Sequence, residues 1–167
     1  MATIEAHAIL RLAISVGSSH KNPVLVPVDF SEESFQAQQL TLEFVEDASR
    51  LYVLHVLPHL NPGDPGVMWN TMDDRTRQQH VEKVFRERFN SPEYEGVHFS
   101  VAIGDPSSAI IDYAKAQDID LIVIPSHGRT GLGRFFMGSV AERVVRFAHC
   151  PVLVLRRKVL QSPKNEP

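Results

Sequence analysis

The sequence predicts an α/β domain built on a mostly parallel sheet with helices on both faces. Two observations carry that reading. Five short, almost wholly apolar segments recur along 167 residues, and amphipathic stretches with helix-start signals alternate with them. Strands that are apolar at every position, not at every second one, suit a sheet covered on both sides. The length is right for one domain with a proper core.

The first strand is Val24-Leu25-Val26-Pro27-Val28. Asp29 and Phe30 follow, then Ser31-Glu32-Glu33, a serine cap before two acids that suit a helix N-terminus. Ala37, Leu40 and Phe44 continue at helical spacing, so a helix is expected to about Asp47. Leu51 to Leu57 reads as the second strand, and Pro58, Pro62, Gly63, Pro65 and Gly66 make an irregular loop. From about Met72 to Phe89 a charged helix carries Val81, Val84, Phe85 and Phe89 on one face, and Ser91-Pro92 ends it.

Val97 to Ile103 is the third strand. Asp105 then caps a helix with Pro106 at its first position and Ile110, Tyr113 and Ala114 as its apolar stripe. Leu121 to Ile124 is the fourth strand. A turn-rich stretch, Pro125 to Gly138, leads to a helix from about Ser139 to Ala148, with Val140, Val144 and Phe147 facing inward. Pro151 to Leu155 is the fifth strand, apolar on both faces. Residues 1–22 read as an extension, either disordered or docked, 23–158 as the domain, and 159–167 as a polar tail.

Composition narrows the function. The net charge is −3, which disfavours a nucleic-acid partner recruited by bulk charge. The early apolar run 9–16 is too short for a membrane span and holds Arg11, and its leader lacks a basic start, so neither membrane nor secretory signal is expected. The single cysteine, Cys150, permits no internal disulfide and suits a reducing, cytoplasmic setting.

Parallel sheets of this kind bind ligands beyond the carboxyl ends of their strands, where strand order reverses. The stretch Ser126 to Ser139 follows the fourth strand. Its four glycines let backbone amides approach an anion, and it ends at a helix N-terminus, which favours negative charge. Between residues 126 and 158, seven basic residues face one acid, Glu142, whereas residues 29–47 hold six acids and no Lys or Arg. Phosphate is the obvious anion. An alternative stays open: Ser139-Val140-Ala141-Glu142 is also a capping box, so Ser139 can serve only its helix. No phosphate-loop motif occurs, and the glycine spacing is not that of a dinucleotide site.

Other candidates carry less. His55 and His59 lack the helical geometry of a metal pair. His127 reads as a hydrogen-bonded loop residue, Cys150 as a small buried hydrophobe, and Trp69 as part of the loop after strand two. No serine or cysteine has a base placed by a motif, so neither a catalytic nor a metal constellation is read.

Val24 to Ser31 resembles the opening of universal stress protein domains. Leu54-His55-Val56, Gly104-Asp105-Pro106, Asp120 to Val123 and Cys150 to Val154 are similar to later landmarks of that family, in order, over residues 23 to about 157. The resemblance implies a Rossmann-like, doubly wound five-stranded sheet in the order 3-2-1-4-5. Family members that bind ATP carry Gly-x-x-Gly, nine residues, then Gly-Ser or Gly-Thr. Here Gly128, the stretch Arg129 to Met137, and Gly138-Ser139 match, while Pro125 replaces the first glycine.

The resemblance implies that Asp29 and Val56 face the adenine and ribose, and that Pro125 and Ser126 line the sugar. It implies that Gly128, Gly138, Ser139 and Val140 hold the phosphates through amides and the Ser139 hydroxyl. Asp29 has a second reading, as the cap of its own turn. The implied ligand is ATP, with or without Mg2+, and the implied partner is a second copy joined along strand five, 151–155, which would cover an apolar edge. The alternatives are a dimeric interaction module with an empty cleft and a slow nucleotide phosphohydrolase.

Overall fold

The computed structural model describes residues 22–60, 73–126 and 137–156. The extension before residue 22, Trp69, His127, Gly128, Arg129, Arg134 and the tail from residue 157 lie outside them. Five strands form one sheet: β1 (Val24–Val28), β2 (Leu51–Leu57), β3 (His98–Ile103), β4 (Leu121–Pro125) and β5 (Val152–Leu155). Their order is β3-β2-β1-β4-β5, with every pairing parallel. Among the described residues four α-helices join them: α1 (Glu32–Val45), α2 (Asp74–Arg88), α3 (Pro106–Ala116) and α4 (Ser139–Phe147).

Alternation along the strands sorts the core into two layers. Val24, Val26 and Val28 of β1 pack with Val53, Val123, Ala37 of α1 and Phe85 of α2. Leu25, Leu54, Ile122 and Ile124 pack instead with Ile110 and Ala114 of α3 and with Ala141 and Val144 of α4. One helix pair therefore covers each face. All five residues of β1 and of β4 are buried, as the continuous apolar runs predicted.

The helix starts are set by local chemistry. Ser31 caps α1 by accepting from the Ser34 amide, Asp73 caps α2 at Thr76, and Asp105 caps α3 at Ser108. Pro106 takes the first position of α3, where a missing N–H costs nothing.

Two expectations are corrected. Phe147 does not face inward: it is 59% exposed. The buried stripe of α4 runs through Ala141 and Val144, and Phe147 lies roughly 60° round the helix from Val144, on the stripe's flank. Ser139 does not cap α4. Gly138 holds the cap position, with extended backbone (φ −62°, ψ 148°), and its carbonyl accepts the first helical bond from Glu142 at 2.9 Å. Ser139 is already helical, so the serine of a capping box stands one residue too late.

Among the described residues no helix is long and apolar enough to cross a membrane.

Candidate functional site

Strand order reverses between β1 and β4, and a crevice opens at their carboxyl ends. The helix N-termini of a parallel sheet gather at that same end. A cavity of about 270 Å3 lies there, on the face covered by α3 and α4. Asp29, Val56, Pro125, Ser126, Gly138, Ser139 and Val140 all line it, which brings together every expected site residue among those described.

Each position follows from a local cause. β1 delivers Asp29 at its end. The Asp29 carboxylate accepts from the Ser31 amide at 3.0 Å and from the Ser31 hydroxyl, while its own amide donates to Ser34 Oγ at 3.3 Å. The Asx turn anticipated as a second reading of Asp29 is thus formed. Phe30, between these groups, has φ 63°, a left-handed conformation that costs a side-chain-bearing residue about 1–2 kcal/mol. Edge contacts with His55 (4.7 Å between ring centroids) and Phe35 (5.6 Å) hold its ring there.

Pro125 is the last residue of β4, paired with Leu155 and buried, and it lines the cleft. Ser126 follows. Its amide donates to the Leu155 carbonyl at 2.8 Å, and its carbonyl accepts from the Gly138 amide at 2.8 Å. The Gly138 N–H is therefore engaged by protein, contrary to the phosphate-holding role expected of it. The amides left over at the start of α4 are those of Ser139, Val140 and Ala141, which precede the first intrahelical bond at Glu142. They carry the positive end of the helix dipole.

Sequence reasoning missed Ser34, Pro106 and Ile110, which also line the cavity. A signal for two of them existed. A helix beginning at Pro106 must start at the carboxyl end of the sheet, and Ile110 is one turn further along its apolar stripe.

A charged pair stands beside the cleft. Asp105 Oδ1 accepts from Ser107 Oγ (2.6 Å), Ser108 Oγ (2.8 Å) and the Ser108 amide (2.9 Å), and Arg143 of α4 stands 3.4 Å away. The Ser107 hydroxyl above all, with the Ser108 donors and Arg143, holds the Asp105 carboxyl down at about 2.

His55 is buried, with Nδ1 2.8 Å from the Val28 carbonyl, while His59 is exposed. Among the described residues no three His, Cys, Asp or Glu side chains gather as a metal group. Cys150 is half-buried, and burial pushes its thiol up.

Fold and cleft together define a doubly wound parallel-sheet domain whose switch-point hollow ends at the N-terminus of α4. The universal stress protein family model matches residues 21–156, and the chain belongs to that family. Universal stress protein MJ0531 of Methanocaldococcus jannaschii is 31% identical over 163 residues, covering 95% of this chain and 92% of the relative. Among solved structures, universal stress protein UspA from Lactobacillus plantarum superimposes with a TM-score of 0.65 at 27% identity, over 83% of this chain and all of that one. A universal stress protein family member from Arabidopsis thaliana with AMP bound matches with a TM-score of 0.55, over 86% of this chain and 97% of that one. At 22% identity that likeness is one of fold.

Proposed function

We propose that the chain binds an adenine nucleotide, ATP in the first instance, in the cleft between β1 and β4, and that occupancy regulates its part in a stress response. The single observation that carries this reading is convergence. Asp29 and Val56, from two strands, and Ser139 and Val140, from a helix N-terminus, meet in one hollow although up to 111 positions separate them.

The cavity, about 270 Å3, is near the lower end of the range for small-molecule sites, roughly 300–1,000 Å3. It suits a base and sugar lying on Val56, Ile124 and Pro125, with phosphates emerging at the Ser139 and Val140 amides. Magnesium, if carried, enters on the phosphates. The AMP-bound relative supports the choice of nucleobase.

A second reading is a dimeric interaction module with an empty cleft. Pro125 favours it: the residue lines the cleft, and proline offers no amide to a sugar. Thermal unfolding with and without Mg-ATP separates the two. A ligand at 100 times its dissociation constant adds about 2.7 kcal/mol to the folded state and must raise the midpoint. An unchanged midpoint at millimolar ATP and AMP selects the empty module.

Under either reading the proposed assembly is a homodimer joined along β5 in a cytoplasmic setting. β5 ends the sheet, its Val152, Leu153 and Val154 are only half-buried, and Val145 and Phe147 of the preceding helix are exposed. An apolar edge of that kind calls for cover.

A further inference from the structure

We propose that Arg143 counts phosphates: it leaves Asp105 to bind the outer phosphates of a di- or triphosphate, and so sets the preference for ATP over AMP. This rests on the reading of the cleft as an adenine-nucleotide site.

Arg143 lies four residues after Ser139 on α4, one turn along the same side of the helix. Helical side chains lean toward the N-terminus, so Arg143 is directed back toward the end where phosphates would emerge. Its guanidinium stands 3.4 Å from Asp105, the residue before the cleft-lining Pro106. The cation therefore stands between α4 and the N-cap of α3, the two helices that flank the hollow. A first phosphate is satisfied by the amides of Ser139 and Val140. Further phosphates extend past them toward Arg143.

The exchange is favourable because Asp105 does not depend on Arg143. Its Oδ1 already accepts three bonds at 2.6–2.9 Å from Ser107 and Ser108, and the arginine is the fourth and most distant donor. Both side chains are about half exposed (56% and 51%), and such pairs are worth little. An arginine–phosphate contact is charge-assisted and can be bidentate. Asp105 also supplies the opposing element. An ionised carboxylate beside the cleft repels a polyphosphate unless a cation stands between them, so Asp105 and Arg143 pull selectivity in opposite directions.

The test is calorimetric titration of the full chain with ATP and AMP at one fixed salt concentration, for wild type, Arg143→Ala, Arg143→Lys and Asp105→Asn. Asparagine keeps an acceptor for the α3 cap, so that variant folds. Arg143→Ala is expected to weaken ATP about tenfold and AMP by less than about twofold. Arg143→Lys falls between, since it keeps the charge without the fork. Asp105→Asn tightens ATP and leaves AMP as it was. Equal weakening of both nucleotides by Arg143→Ala, or no weakening of either, overturns the inference while leaving the nucleotide site standing. Wild type that takes up neither nucleotide overturns the site and the inference together.

Discussion

The amide of Gly138 donates to the carbonyl of Ser126 at 2.8 Å, tying the start of α4 to the end of β4. This bond sets where the helix N-terminus stands relative to the sheet. Gly138 has φ −62°, which proline matches, so Gly138→Pro removes the donor without demanding a new backbone angle. It is expected to cost about 1–3 kcal/mol in a urea unfolding curve and to abolish nucleotide binding. Gly138→Ala keeps the bond. Its added Cβ meets the Ser126 oxygen at 3.5 Å, an ordinary contact, and the change costs at most about 1 kcal/mol. Equal losses in the two variants would show that the bond does not position the helix.

Asp29 is assigned both a turn and a ligand, and two substitutions separate them. Asp29→Asn retains an oxygen for the Ser31 amide, now at 3.0 Å, and is expected to stay within about 0.5 kcal/mol of wild type. Asp29→Ala loses the turn, at about 0.5–1.5 kcal/mol. Nucleotide affinity should fall about tenfold in both, because a neutral amide cannot replace a charged acceptor. An asparagine variant that binds ATP as wild type does would leave Asp29 with the turn alone.

Acid stability offers a third check. The Asp105 carboxyl is held at about 2 against an ordinary 3.8, so its charged form favours the folded state. That contribution is complete above pH about 4 and is lost as pH falls through about 2. The Tm difference between wild type and Asp105→Ala should therefore be constant near neutrality and shrink across that window. Asp47 and Asp73, lowered by bonds from Ser49 and Thr76, act in the same direction. A difference that stays level down to pH 2 would contradict the assignment.

The proposed dimer is testable at one backbone amide. Pro151 and Leu155 turn their carbonyls toward β4, accepting from Ile122 and Ser126. By strand alternation the amide of Val154 faces the open edge. Val154→Pro removes that outward donor and spares the β4 ladder, a place where proline is tolerated. Light scattering should find wild type at twice the 18.7 kDa of one chain and the variant at that single mass, with the fold intact by circular dichroism. A monomeric wild type would dispose of the dimer.

Much of the fold was readable because its signals are local. Five apolar runs, the caps at Ser31 and Asp105, and Pro106 at the head of α3 each depend on residues within a few positions of one another. Alternation with helices then left little choice but parallel pairing, since each crossover must span the sheet. The candidate site was readable in part for the same reason: its segments lie at or just after the carboxyl ends of strands.

What the sequence alone determined, then, is the set of elements, their polarity, and the end of the sheet where a ligand would sit. The tertiary structure decided which groups remain available there. It gave the cap of α4 to Gly138 and not Ser139, and it engaged the Gly138 amide with Ser126. It set Phe147 on the outside and brought Arg143 to Asp105, 38 positions away. Local periodicity carries a helix's length and its apolar side. Rotation about the axis, and the choice of partner for each polar atom, are set by packing against residues remote in the chain, to which a local pattern is blind.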